Sequence, residues 1–167
     1  MPPIVEPFLA ELDQEAQTTR RVLERIPDEK LSWKPHEKSM SLGQLGLHVA
    51  TIPGSLAQAL VNDSLDFSGV QPFAEAKSKA ELLSALKDSV FTAKRLVGGF
   101  DDKKALANWK LTGNGKDILV MPRIAVVRYI MLNHWYHHRG QLSVYLRMLN
   151  VPVPSIYGPS ADENPFG

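Results

Sequence analysis

The sequence contains no cysteine. Disulfide bonds, thiolate ligands and a cysteine nucleophile are therefore excluded, and any metal held by this chain must use histidine, carboxylate or water. No apolar run approaches the roughly 20 residues of a membrane-spanning helix. Residues 1–6 show neither the basic stretch nor the apolar stretch of a signal peptide. We therefore expect no membrane attachment and, by default, a cytoplasmic location.

Neither sign of charge is in excess, since 19 basic and 18 acidic residues leave a net charge of +1. A nucleic-acid-binding face usually appears as a cluster of basic residues. No such cluster is present, so we predict no nucleic-acid partner. A chain of 167 residues, of which 44% are hydrophobic, suits a single domain, residues 1–167, with its own core.

Three of the five histidines lie in one short stretch, Asn133–Leu142, which reads NHWYHHRGQL. His134 and His138 are four residues apart and so share one face of a helix, where two imidazoles can hold one metal ion. His134 and His137 are the competing pair. A buried imidazole needs partners for both ring nitrogens, and a shared metal would satisfy one nitrogen of each ring.

The face that carries these histidines is otherwise largely apolar and follows a spacing of three and four residues. It consists of Val127, Met131, His134, His138, Gln141, Tyr145 and Met148. The pattern predicts that both histidines point into the same interior as Val127 and Met131.

A third histidine, His48, occupies the apolar face of another predicted helix, between Leu45 and Ile52. That helix begins at Ser41, whose spacing to Gln44 predicts a capping box, and Pro53 is expected to kink it. His48 is either a core histidine with ordinary hydrogen bonds or the third metal ligand. His36 follows a proline among polar residues and is expected to be exposed.

Periodicity and cap signals predict four long helices. They are residues 4–26, a helix from Ser41, a helix from Ser78 to Gly98-Gly99, and a helix from Pro122 to Leu149. A long link, residues 63–77, joins the second to the third, and Phe67, Val70 and Phe73 are expected to pin it. Residues 100–121 could contain a short hairpin, and the proline-rich tail, residues 151–167, is expected to be extended or loosely packed.

Several sequence blocks together resemble the DinB-like (YfiT-like) superfamily. They are Trp33-Lys34-Pro35, the stretch Ser39–Leu45 leading into His48, the stretch Asn133–Leu142, and the stretch Tyr145–Pro152. The resemblance covers essentially the whole chain, and its most specific part is the histidine-rich block. It implies an all-α fold, a four-helix bundle with a long crossover connection, and often a homodimer.

The resemblance also implies a divalent metal held by three histidines, which here are His48, His134 and His138. Zinc is the first choice, with nickel or iron as alternatives, because imidazole suits all three. The implied function is that of a metal-dependent hydrolase or a thiol-dependent transferase acting on a small molecule, with a low-molecular-weight thiol as a further substrate. The alternative is a non-catalytic, dimeric helical bundle that binds a metal or a small molecule.

No general base is apparent in the sequence, and the catalytic residues stay unassigned. Some polar residues are candidates to orient the substrate or the ligands. They are Gln44, Tyr136, His137, Gln141 and Tyr145. Arg139 lies off the ligand face and is expected in a salt bridge or a dimer contact, whereas Trp33 and Trp135 are expected mainly in the core.

Overall fold

The computed structural model describes residues 2–69 and 72–166. It contains helices α1 (Glu6–Leu23), α2 (Leu42–Val61), α3 (Lys79–Gly98) and the short α4 (Asp102–Leu106). The last long helix is continuous and has three parts: α5 (Arg123–Val126), a π-helical segment (Val127–Leu132) and α6 (Asn133–Met148). Among the described residues, no helix is long and apolar enough to cross a membrane.

The predicted helix starts at Ser41 and Ser78 are confirmed. The Ser41 side chain accepts a hydrogen bond from the Gln44 backbone N–H, and the Gln44 side chain accepts one from the Ser41 N–H, which completes the capping box. The Ser78 side chain caps α3 by accepting a hydrogen bond from the Glu81 N–H. The Glu81 carboxylate accepts from the Lys77 N–H, and not from the Ser78 N–H as in a capping box. Helix α2 continues through Pro53 up to Val61.

The expectation of an all-α fold is wrong, because the mostly helical chain includes a small three-stranded sheet, two strands of which form the short hairpin predicted before the last helix. Strand β1 (Ser64–Asp66) pairs in parallel with β2 (Asn108–Gly113), and β2 pairs antiparallel with β3 (Lys116–Pro122). The hairpin turn uses Asn114 and Gly115, both with positive φ, as tight hairpins favour. An isolated hairpin is marginal; here β1 and the buried Trp109 attach it to the rest of the fold.

Helix α2 lies at the centre of the arrangement, in contact with α3 along one side and with the π-helical segment and α6 along the other. Helix α1 packs against α3 and α6. Small residues allow the closest approach between α2 and α3: a Cβ at Gly54 would lie only 2.8 Å from the Ser89 Cα. The core that results is continuous and places His48 of α2 opposite α6.

The C-terminal tail is extended, which is one of the two predicted states, and part of it packs closely against the rest of the chain. Val153, Pro154 and Ser155 are buried. Glu163 forms ion pairs with Arg21, which lies in α1, and with Arg25, which follows it. Asn150 has a φ of 58°, the left-handed conformation that commonly ends a helix, and it follows α6 closely. Within the link, Phe73 packs on His48, Phe67 is more than half exposed, and Val70 lies outside the described residues.

Candidate metal centre

The structure brings together the three histidines that the sequence predicts as ligands. His48 extends from α2, and His134 and His138 extend from α6. One ring nitrogen of each lies within 4.8 Å of the others, and the Nε2 atoms of His48 and His134 are 3.0 Å apart. We call these three residues the histidine cluster. Their role as ligands stays a prediction.

The spacing of the ring nitrogens fits a shared metal. Two metal–nitrogen bonds of about 2.0–2.1 Å place the nitrogens about 2.9 Å apart at a right angle and about 3.4 Å apart at a tetrahedral angle. The 3.0 Å between His48 and His134 falls within this range. Among the described residues, no fourth histidine, aspartate or glutamate joins the cluster. Three protein ligands and one open position are typical of catalytic zinc sites, whereas structural sites usually have four protein ligands.

Gln141 orients one imidazole of the cluster. Its Oε1 lies 2.7 Å from the Nδ1 of His138. Because an amide oxygen only accepts hydrogen bonds, Nδ1 carries the proton, and Nε2 of His138 keeps a free lone pair. At most histidine metal sites, the ring nitrogen that does not bind the metal donates a hydrogen bond of this kind, which fixes the ring orientation and the tautomer. The prediction that Gln141 orients a ligand is therefore supported by a direct hydrogen bond to His138.

Burial keeps the cluster neutral at physiological pH. It lowers the pKa of His48 to about 4, with further lowering from the nearby His138 and His134. Burial also lowers the pKa of His134 to about 4, again with help from neighbouring histidines. The pKa of His138 is lowered mainly by burial, although the hydrogen bond to Gln141 opposes this. Neutral imidazole is the form that binds a metal.

The predicted register of the last helix is wrong from His134 onward. Val127 and Met131 are buried as expected, but after them the buried positions are Trp135, Arg139, Leu142 and Leu146. The π-helical segment causes this difference, because its wider turn accommodates an extra residue and shifts every later side chain relative to a regular α-helix. The histidines consequently lie half-buried at the edge of the core, and Met148 is exposed.

The other candidate residues divide between the cluster and more distant positions. Gln44 is linked to the cluster by Phe73. The Gln44 Nε2 donates to the Phe73 carbonyl at 3.0 Å, and the Phe73 ring packs on His48. His137 is exposed, with its ring centroid 4.9 Å from that of His138. Tyr145 donates to the Met40 carbonyl.

Tyr136 points away from the cluster, and Arg139 lies in the core. The Tyr136 hydroxyl donates to Glu11 at 2.7 Å, and burial raises the pKa of this tyrosine. Arg139 is almost fully buried and forms an ion pair with Glu15 at 2.6 Å, which confirms the predicted salt bridge. Trp135 is fully buried, as expected, whereas Trp33 is half-buried and contacts Tyr145 edge-on.

The model of the DinB family matches residues 1–164 of this chain. The chain belongs to the DinB family. Among curated proteins it is 24% identical over 158 residues to the uncharacterized protein YrdA of Bacillus subtilis, covering 93% of this chain and 89% of that protein. This assignment agrees with the sequence resemblance and covers nearly the whole domain.

Solved DinB-like structures share the fold of this DinB-family chain. A DinB-like protein from Bacillus cereus aligns with a TM-score of 0.71 at 22% identity, covering 94% of this chain and all of the other. The DinB-like protein YjoA of Bacillus subtilis aligns with a TM-score of 0.68 at 19% identity, covering 90% of this chain and 97% of the other. At these identities the likeness shows the fold alone.

A cavity of about 230 Å³ lies beside the histidine cluster of this DinB-family chain. We call it the sheet-side cavity, because β1, β2 and β3 supply one wall while α2 and the π-helical segment supply the other. The residues that line it are His48, Thr51, Ile52, Ser55, Leu56, Leu65, Phe67, Trp109, Leu111, Leu119, Ile130 and His134.

Sequence reasoning missed the cavity and the contact of Phe73 with the cluster. The cavity exists because a three-residue strand pairs with a strand more than 40 residues later, and neither partner marks that pairing in the sequence. Phe73 lies in an irregular segment without periodicity, so no local pattern indicates that its ring centroid lies 4.7 Å from that of His48.

Proposed function

We propose that this chain is a metal-dependent enzyme whose histidine cluster binds one divalent ion, with zinc as the first choice and nickel or iron as alternatives. The reaction is hydrolysis of a small molecule or transfer of a low-molecular-weight thiol to it. The observation that carries the proposal is the convergence of three neutral imidazoles, with an open side, next to a cavity of ligand size. An ion bound there would act as a Lewis acid that lowers the pKa of a bound water or thiol.

The protein residues contribute orientation and exclusion of water. Gln141 holds the ring of His138 through Nδ1, which leaves the Nε2 lone pair free for a metal. The Phe73 ring, from the link, packs edge-on against the ring of His48. The apolar lining of the sheet-side cavity removes water from one side of the site, which strengthens electrostatic interactions there.

The test is metal analysis of untagged protein. We expect about one divalent ion per chain in the wild type, and loss of that ion in His48→Ala and in the double variant His134→Ala/His138→Ala. His36→Ala is the matched control, because this histidine is exposed and should leave the metal content unchanged. Unaltered metal content in His48→Ala would contradict the three-histidine site.

The alternative function is a non-catalytic, dimeric helical bundle that binds a metal or a small molecule with the same residues. The observation that favours it is that His138 is oriented by an amide, Gln141, and not by a carboxylate that could accept a proton. Metal-dependent turnover of a thiol with an electrophile supports the enzyme. Stoichiometric metal without turnover across a panel of such pairs supports the binding module, and sedimentation equilibrium measures the proposed dimer.

A further inference from the structure

The sheet-side cavity offers no partner for a charged molecule. No aspartate, glutamate, lysine or arginine is among the described residues that line it. Most of its lining is aliphatic or aromatic, and the strands contribute Leu65, Leu111 and Leu119 to one wall. A carboxylate or phosphate that entered would lose its hydration without gaining an ion pair, which is strongly unfavourable. An uncharged apolar group would gain free energy by the same transfer.

Two polar groups in the lining are already engaged with the backbone. The Thr51 hydroxyl donates to the Leu47 carbonyl at 2.8 Å, and the Trp109 indole N–H donates to the Ala59 carbonyl at 3.2 Å. Ser55 is exposed to solvent. The remaining polar groups in the lining are the imidazoles of His48 and His134.

The position of those imidazoles gives the cavity a direction. His48 and His134 belong both to the histidine cluster and to the cavity lining, whereas His138 belongs to the cluster alone. The cavity therefore meets the cluster at the His48–His134 edge, opposite its strand wall. A molecule with its apolar part among the leucines has its polar end at these two rings.

The volume limits the size of that apolar part. An apolar cavity of about 150 Å³ is large enough to bind benzene, so about 230 Å³ has room for a substituted benzene or a branched alkyl group of similar size. We propose that the sheet-side cavity selects substrates with an uncharged alkyl or aryl group of this size and directs their reactive atom to the His48–His134 edge. This inference names the substrate class of the proposed enzyme and so rests on the proposed function.

Leu119 is the residue that tests the apolar selection. Successive side chains on a strand point to opposite faces, so Leu119 lines the cavity while Val120, next to it on β3, is exposed on the other face. Leu119→Trp should fill the cavity, and Val120→Trp is the matched control on the same strand.

The first experiment titrates toluene and benzoate into the EDTA-treated wild type and follows the leucine and isoleucine methyl groups by NMR. We expect toluene to shift the cavity methyls and to bind at least tenfold tighter than benzoate, its charged analogue. Leu119→Trp should weaken toluene binding at least tenfold, and Val120→Trp should change it less than twofold. Equal affinities for toluene and benzoate, or shifts confined to other methyls, would overturn the inference even if Leu119→Trp does not fold.

The second experiment separates a failure of the cavity from a failure of the metal site. Co²⁺ bound at the cluster should broaden the signals of bound toluene. In His138→Ala the broadening should vanish, while toluene affinity stays within threefold because His138 does not line the cavity. If Co²⁺ and toluene both bind without broadening, the placement beside the cluster is wrong. If toluene binds and Co²⁺ does not, the proposed metal function fails and the apolar selectivity remains supported.

Discussion

The side chain of Trp135 satisfies a backbone carbonyl that a proline leaves without a partner. Pro53 lacks an N–H, so the carbonyl of Val49, four residues earlier in α2, has no helical donor. The buried indole of Trp135 donates to this oxygen at 2.8 Å. Val49 is adjacent to His48 and Trp135 is adjacent to His134, so this hydrogen bond sets the spacing between the two backbones that carry the cluster.

We therefore predict that Trp135→Phe destabilises the protein by about 2–5 kcal/mol. Leaving a buried carbonyl without a partner costs about 1–3 kcal/mol. Replacing the indole with a smaller ring at a fully buried site adds about 1–2 kcal/mol from lost burial and an imperfectly filled space.

Pro53→Ala provides the matched test, because alanine restores the N–H that can donate to the Val49 carbonyl. In a double-mutant cycle, Trp135→Phe should cost about 1–2 kcal/mol less in the Pro53→Ala background than in the wild type. The assay is urea unfolding in EDTA, followed by circular dichroism. A cost that is equal in both backgrounds to within about 0.5 kcal/mol would refute the assignment of this hydrogen bond.

Three further predictions concern the ion pairs and the cluster. Arg139→Met leaves the buried Glu15 carboxylate without its positively charged partner, with only the Tyr157 hydroxyl still donating to it, and should cost about 3–5 kcal/mol in urea unfolding. Arg147→Met at an exposed ion pair should cost at most about 1 kcal/mol. Gln141→Leu removes the acceptor of His138 and should weaken zinc binding about 10–100-fold in a competition titration, whereas Gln141→Glu should not. Because the folded cluster has lowered pKa values, the unfolded chain binds more protons below about pH 6.5, and the metal-free protein should lose stability from pH 6.5 toward pH 4. An unfolding midpoint in EDTA that stays constant over this range, or one that falls just as steeply when all three histidines are alanine, would contradict the pKa assignment.

The helices and the grouping of the three histidines were predictable because both depend on local patterns. Ser41 and Ser78 mark helix starts by short-range hydrogen bonding, and the structure confirms both caps. His134 and His138 share a face because four residues make about one helical turn. His48 could be added to them because its neighbours Leu45 and Ile52 show which side of α2 faces the interior.

The hairpin was predicted, but the pairing of β1 with it and the register of α6 were not predictable from those patterns. Strand β1 has three residues, too few to show alternation, and its partner β2 is distant in the chain. The wide turn at Val127–Leu132 carries no proline or glycine to mark it. A pattern that assumes a uniform helix therefore predicts His134 as the next buried residue after Met131, whereas the next residue on the buried face is Trp135.

This one-residue shift gives the histidine-rich stretch two separate tasks. With a uniform helix, His134 and His138 would occupy the core face and Trp135 and Arg139 would lie beside it. The π-helical segment instead directs Trp135 and Arg139 into the core, where they bind the Val49 carbonyl and Glu15. His134 and His138 then lie at the edge of the core, where they meet His48, and His134 also lines the sheet-side cavity. Buried anchors and a half-buried pair of histidines can thus alternate along one helix, and the anchors restrain the helix that carries the pair.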